Sequence, residues 1–256
     1  VIFGSDGIEG CEHSIFEIMS NSIDEAREGY GKKIIITKYL DGSVEVQDFG
    51  RGIPVDYNKN EGKFNWELLF CEMYAGGKYD NGGDNYEFSL GLNGLGLCAT
   101  QYASEYMDAE IKSGGYKYTL HFEHGENVGG LVKEEYKKRG DTGTRIKWKP
   151  DLKVFTDINI PVEYFEETIK RQAIVNDGIK FVFKNQISSA SFDTKEYCYE
   201  NGIQDYVKDI AGDKAFTTPQ YWECERVGKD REDLNEYKLK IKASLCFSLD
   251  TQLKEY

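Results

Sequence analysis

Glu17, Asn21, Asp24 and Glu28 recur at intervals of three and four residues, which on a helix turning about 100° per residue gathers them in one narrow sector. Ile15, Met19, Ser22, Ala26 and Tyr30 fall on the opposite side, so one face suits packing and the other carries acid and amide groups. A carboxylate there can take a proton from water, and a carboxamide one turn away can hold a hard cation through its oxygen. An acidic face is also what an ordinary solvated helix presents. The second candidate is Asp48-Phe49-Gly50-Arg51-Gly52-Ile53-Pro54. A carboxylate at a strand end accepts a hydrogen bond from an exocyclic amine such as that of adenine, and two glycines let the backbone approach a flat ring. A plain surface turn can carry the same letters. The third runs from Ala75-Gly76-Gly77-Lys78 to Gly91-Leu92-Asn93-Gly94-Leu95-Gly96 and holds seven glycines. Glycines just ahead of a helix expose N–H groups to an anion, and Lys78 would add a mobile counter-charge. The spacing is neither the Walker loop nor the G-x-G-x-x-G turn, and a floppy linker would read alike.

These groups need elements to hold them. The pattern predicts a helix over 12–28 stopped by Gly29 and Gly31. A β-branched strand over 33–40, a two-residue hairpin at Asp41-Gly42 and a returning strand bearing Val44 and Val46 follow. Further helices are expected over 65–74 and 97–106, and antiparallel strands over 109–113, 117–123, 130–136 and 144–149. Thr142-Gly143-Thr144 opens the last of these, where its hydroxyls could sit by the Asp48 carboxylate. Lys137, Lys138 and Arg139 read as a solvated turn. Pro161 starts a helix reaching Val175, and Ile179 to Lys184 forms a closing strand before a polar stretch with Ser188, Ser189 and Ser191. Beyond Asn201-Gly202 come a helix over 203–211 and a long strand over 237–249. The change of pattern places a domain boundary near residue 200, with a first domain over 1–199 and an incomplete second over 200–256.

With 256 residues the chain can form one large or two medium domains. A net charge of -13 argues against a surface that holds nucleic acid by neutralising phosphates; the chain is expected to be a weak DNA binder. Six cysteines without a C-x-x-C pair suggest neither a zinc site nor a disulfide framework. No apolar run spans a bilayer and no signal-like start is present, so no membrane partner and a reducing cytoplasm are expected.

In this order the motifs resemble those of the GHKL ATPases, and more closely those of the ATP-binding B subunits of type IIA DNA topoisomerases, the gyrase and topoisomerase IV group. The resemblance covers residues 1 to about 186 and rests on Glu17 to Glu25, Asp48 to Pro54, Ala75 to Lys78 with Gly91 to Gly96, and Thr142 to Thr144. It implies an α+β fold, the GHKL (Bergerat) two-layer α/β sandwich with a mixed, mainly antiparallel sheet. The start of a ribosomal S5 domain 2-like transducer domain is implied over 200–256. It implies ATP and Mg²⁺, with Glu17 as the general base and Asn21 as the metal ligand. Asp48 would receive the adenine amine with Thr144 nearby, Arg51 and Pro54 would flank the base, and Glu25, Gly50, Gly52 and Ile53 would belong to the same site. Lys78 and the amides of Leu92, Asn93, Gly94, Leu95, Gly96 and Leu97 would hold the phosphates, and Tyr86 would reach the adenine side from the lid.

The partners implied are ATP and, in a full enzyme passing DNA strands, DNA itself, a second B subunit in an ATP-gated dimer and the A subunit with the cleavage tyrosine. In the family a dimer-strapping arm precedes the position of Val1 and a γ-phosphate-touching lysine follows Tyr256. The chain alone is therefore expected to be monomeric and a poor ATPase. Three positions depart from the bacterial pattern: Asn93 stands for a His, Thr119 for an Arg, and Glu87 for a basic residue. They leave gyrase against topoisomerase IV open and imply altered sensitivity to inhibitors that lean on that Arg. Two competing readings are a mismatch-repair or chaperone-type GHKL ATPase, less well matched by Gln47 to Pro54 and Ala75 to Lys78, and a non-hydrolysing nucleotide switch, which Glu17 and Asn21 argue against. A histidine kinase would need an upstream phospho-accepting helix for which there is no room.

Overall fold

The computed structural model describes residues 3–73, 96–138, 140–229 and 236–249. Helix α1 spans Ile8–Arg27 and so begins earlier than the pattern predicts. Ile15, Ile18, Met19 and Ile23 on its apolar side are each at most 2% exposed, and burying a side chain of this size contributes roughly 1.5–3 kcal/mol. The helix ends in two reverse bonds: Gly29 N–H donates to Ala26 O at 3.0 Å and Tyr30 N–H to Glu25 O at 3.2 Å. That pairing is the Schellman motif, which needs a left-handed residue after the last turn, and Gly29 supplies it at φ 94°. Tyr30 therefore leaves the helix and is exposed rather than packed.

After α1 come β1 (Lys33–Lys38), β2 (Val44–Asp48), a small hairpin of β3 (Tyr57–Asn58) and β4 (Lys63–Phe64), then α2 (Asn65–Cys71) and α3 (Gly96–Tyr102). Next are β5 (Ser104–Ser113), β6 (Tyr116–Glu123), β7 (Glu126–Asn127), β8 (Val132–Glu135) and β9 (Gly143–Pro150). Helix α4 (Val162–Val175), β10 (Lys180–Ser188) and β11 (Ser191–Tyr197) follow. Apart from the β3/β4 hairpin, which is a sheet of its own, these strands form one sheet in the order β11-β10-β1-β2-β9-β5-β6-β7, with β8 also paired to β6. The pairs β1/β2, β2/β9, β9/β5 and β5/β6 are antiparallel.

Where strands and turns differ from expectation, local chemistry explains it. The β1–β2 connection closes on a Tyr39 N–H to Ser43 O bond at 2.9 Å and so leaves three residues at its tip, Leu40, Asp41 and Gly42. Asp41 Oδ1 accepts from both the amide and the hydroxyl of Ser43 and fixes the longer turn. The helix expected over 97–106 stops at Tyr102, because the pairing of β5 with β9 runs back past the alternating Met107, Ala109 and Ile111, through a register shift, to Ser104 opposite Pro150. Gly114-Gly115 and His124-Gly125 turn the β5–β6 and β6–β7 hairpins with both central φ angles positive, as type I′ turns require. The serine-bearing stretch is itself a tight turn between β10 and β11.

One face of the sheet carries the core: Val44, Val46, Ile146, Trp148, Met107, Ile111, Leu120 and Phe122 are all nearly or fully buried. Trp148 keeps its indole N–H paired with Thr100 O at 2.9 Å. Helix α1 packs against β2 and α3, and α2 packs against α3. The opposite face is a lattice of charge, with Arg145 bonded to Glu110 at 3.0 Å and His121 to Asp108 at 2.6 Å. Helices on one side and solvated charge on the other make the two-layer α+β sandwich.

The chain divides into two compact units, Val1–Ile169 with Phe181–Glu196, and Lys170–Lys180 with Tyr197–Tyr256. The second unit holds α5 (Ile203–Ala211) and an antiparallel pair, β12 (Gln220–Gly228) and β13 (Tyr237–Leu245). Sequence reading finds α5 and β13 but misses β12, whose polar residues are mostly exposed and give no alternating apolar signal. Within this unit Tyr206 meets the Tyr199 ring edge-on at 5.7 Å and the Lys170 ammonium at 5.2 Å.

Candidate functional site

Asp48 is the last residue of β2 and is only 7% exposed. Its Oδ1 accepts the amides of Gly50 at 3.0 Å and Thr144 at 3.1 Å, and its Oδ2 accepts the Ser22 hydroxyl at 3.0 Å. Burial nevertheless dominates and raises the carboxyl above the ordinary aspartate range, against the pull of those three donors. The Thr144 hydroxyl accepts the Ile53 amide at 3.0 Å, and the Thr142 hydroxyl donates to Gly50 O at 2.6 Å. Thr144 at the start of β9 and Thr142 just ahead of it thus stitch down the Asp48–Pro54 turn, while Asp48 is also held from α1.

The turn is clamped to α1 a second time. Glu25 Oε1 accepts the Arg51 amide at 2.7 Å and its Nε at 2.9 Å, and Glu25 Oε2 accepts Nη2 at 2.8 Å. The same Nη2 reaches Glu28 at 2.5 Å, and the guanidinium carbon lies 3.8 Å from the centroid of the Tyr30 ring. These carboxylates push the guanidinium further up than an ordinary arginine. Gly50 has to lack a side chain here, since a Cβ would come within 2.2 Å of Glu25 Cγ. Gly52 passes over β5, where a Cβ would meet Lys112 O at 2.9 Å, and Ile53 and Pro54 are partly buried.

Two turns earlier on the same helix, Glu17 is set against the first residue of α3. A Cβ on Gly96 would fall 1.8 Å from Glu17 Oε2, so glycine is the residue that lets the carboxylate seat against that backbone. His13 contacts Glu17 Oε1 at 3.0 Å. Asn21 is exposed, and its Nδ2 donates to Glu17 O at 3.2 Å; Oδ1, the acceptor of the pair, is the atom that can face a cation. Leu97 is buried in the first turn of α3.

Glu17, Asn21 and Glu25 therefore form one stripe, bounded by α3 at one end and the Asp48–Pro54 turn at the other. Eight residues of helix separate its ends by about 12 Å. Lys78, Tyr86, Leu92, Asn93, Gly94 and Leu95 lie outside the described residues, as do Ala75 to Gly77 and Glu87. Three contributors escape sequence reading, Ser22, assigned to packing, and Glu28 with Tyr30 as partners of Arg51, while Thr142, expected beside Asp48, pairs with Gly50 O. Ser22 leaves the clearest trace, a hydroxyl in the middle of an otherwise apolar face. No group of three or more His, Cys, Asp or Glu poised to hold a metal occurs among the described residues. None of the described helices is long and apolar enough to cross a membrane.

Comparison with known proteins points the same way. Residues 8–154 match the family model described as histidine kinase-, DNA gyrase B-, and HSP90-like ATPase. The DNA gyrase B protein of Thermotoga maritima is 34% identical over 205 residues, covering 80% of this chain and 31% of the relative. The DNA topoisomerase 4 B protein of Escherichia coli is 33% identical over 193 residues, covering 75% of this chain and 30% of the relative. The chain thus spans about a third of the length of these relatives. Among solved structures, the 43K ATPase domain of Thermus thermophilus gyrase B, in complex with an aminocoumarin, superposes with a TM-score of 0.72 at 26% identity, covering 90% of this chain and 57% of that one. The family match takes in α1, the Asp48 turn, α3 and β9, the elements that build the site, and the chain belongs to the gyrase B- and HSP90-like ATPases.

Proposed function

We propose that this chain is the ATP-binding and ATP-hydrolysing part of the B component of a type IIA DNA topoisomerase, driving DNA strand passage in the full enzyme. The observation that carries the reading is the buried Asp48 carboxylate, fixed by Ser22, Gly50 and Thr144 at one end of a helix stripe whose other end is Glu17. Asp48 accepts the adenine amine, the Arg51 to Pro54 turn borders the base, and Glu17 takes the proton of the attacking water. Hydrolysis of a phosphoanhydride needs a positioned water, a base and neutralised phosphate charge. The Asn21 oxygen suits a Mg²⁺ ion, which supplies that neutralisation when bound. Lys78, Tyr86 and the glycine-rich run to Gly96 complete the site on the phosphate side.

Residues 1–199 act as the ATP-binding domain and 200–256 as the beginning of a transducer. The partners are DNA, a second copy of the B component and an A component with the cleavage tyrosine, in the cytoplasm. Equal similarity to the gyrase and topoisomerase 4 relatives favours neither. The test is a pair of variants: Asp48→Ala weakens ADP binding in calorimetry, and Glu17→Ala binds ATP without turning it over. Unchanged binding in the first together with unchanged turnover in the second overturns the reading.

A further inference from the structure

Arg51 is held by more than its Glu25 partner, and the surplus has a structural origin. In a Schellman ending the residue two past the helix folds back over the last turn; here Tyr30 N–H returns to Glu25 O. The motif thus brings the Tyr30 backbone back to that of Glu25, and Glu28, the capping residue, stands between them in sequence. The guanidinium enters this three-sided seat: an edge on Glu25, Nη2 shared with Glu28 at 2.5 Å, and one face on the Tyr30 ring at 3.8 Å.

A surface arginine is costly to immobilise because its long side chain loses many rotamers, and a single exposed ion pair repays little of that. Four contacts from three side chains fix both the position and the plane of the group before any ligand arrives. With Nε and Nη2 spent on carboxylates and one face covered, what is left for a ligand is the opposite flat face and the Nη1 end, with no Nε/Nη2 fork to offer. That face suits stacking on a planar heterocycle rather than the forked bonding of a phosphate.

We infer that Glu28 and Tyr30 are positioning residues that hold Arg51 flat against the base of the bound nucleotide. The inference rests on the nucleotide reading above. It separates Arg51 from the phosphate-binding groups and assigns two side chains outside the site motifs to base affinity.

Calorimetry with ADP on this chain tests it. Arg51→Ala weakens ADP binding if Arg51 borders the base. Tyr30→Ala then weakens it by about two- to fivefold, Tyr30→Phe leaves it unchanged because the ring face is kept, and Glu28→Gln costs about twofold at low salt with the loss fading as salt is raised. Added to Arg51→Ala, neither change weakens binding further, whereas a merely structural role would add. Full affinity in Tyr30→Ala and Glu28→Gln beside a weakened Arg51→Ala overturns the positioning role and leaves the nucleotide reading standing. An Arg51→Ala variant with full ADP affinity overturns the contact between Arg51 and the base, and the inference with it.

Discussion

The Ser22 hydroxyl donates to Asp48 Oδ2 at 3.0 Å, joining the middle of α1 to the end of β2 across 26 residues of sequence. The bond satisfies a hydroxyl that lies on the packing side of the helix. It also leaves Asp48 gripped from two elements, α1 and β9, so the carboxylate cannot swing away from the turn it closes. That grip fixes the orientation of the carboxylate at this end of the site.

Asp48→Asn separates stability from binding. Burial raises this carboxyl above 3.8, so the folded chain holds the proton more tightly than the unfolded one. Its contribution to stability is fullest below 3.8 and is lost as pH rises through the raised value. An amide removes that loss while still accepting from Gly50 and Thr144. At neutral pH the melting temperature is expected to hold or rise, whereas ADP affinity falls by about 1–3 kcal/mol because the acceptor for the amine is gone. A parallel drop in both quantities would contradict the assignment.

Glu17→Ala removes the proposed base and should lower ATP turnover by about 10²- to 10⁴-fold. Equilibrium ATP binding is expected to stay within a few-fold of the parent. Turnover at the parent rate would exclude the residue as base.

Gly96→Ala is a stricter probe of geometry. The added methyl meets Glu17 Oε2 at 1.8 Å, so the carboxylate or the start of α3 must move. Displacement of a reacting group by about 1 Å can cost about 10²-fold in rate. A fall in turnover larger than the loss of ADP affinity is expected, since Gly96 also belongs to the phosphate-side run, and steady-state kinetics beside calorimetry would reveal it.

His121 predicts a pH dependence away from the site. Its ring meets Asp108 at 2.6 Å and Glu123 at 3.0 Å, and Lys147 lies opposite Asp108 on β9. The Asp108 bond first, then the Glu123 bond, raises the imidazole above 6.5. The stabilisation is therefore complete below 6.5 and disappears as pH climbs through the raised value. Thermal melts across the neutral range should show a decline that His121→Asn flattens; equal slopes in both proteins would dismiss the group.

Much of the architecture is legible in the sequence because its signals are local. The 3.6-residue rhythm of Ile15, Ile18, Met19 and Ile23 marks α1, Gly29 marks its end, and Val44 and Val46 alternate on β2. What escapes depends on tertiary pairing. Strand β12 has no apolar alternation of its own, and β5 is longer than its text because β9 pairs with it back to Pro150. In the site, Asp48 and the glycine turn stand out by type and spacing. The partners that hold them, Ser22, Thr142 and the Thr144 amide, are distant in sequence, and a backbone N–H leaves no letter to read.

The unbroken course of α1 from Glu17 to Glu25 gives the molecule a built-in gauge. One residue added or removed between them would twist one end by about 100° relative to the other, and the acid at α3 and the clamp at Arg51 could no longer address the same side. Loops elsewhere in the chain can lengthen without harm to this register. The reach between the two ends of a bound molecule is thereby set by helical pitch, and a compound shorter or longer than that interval can satisfy only one end at a time.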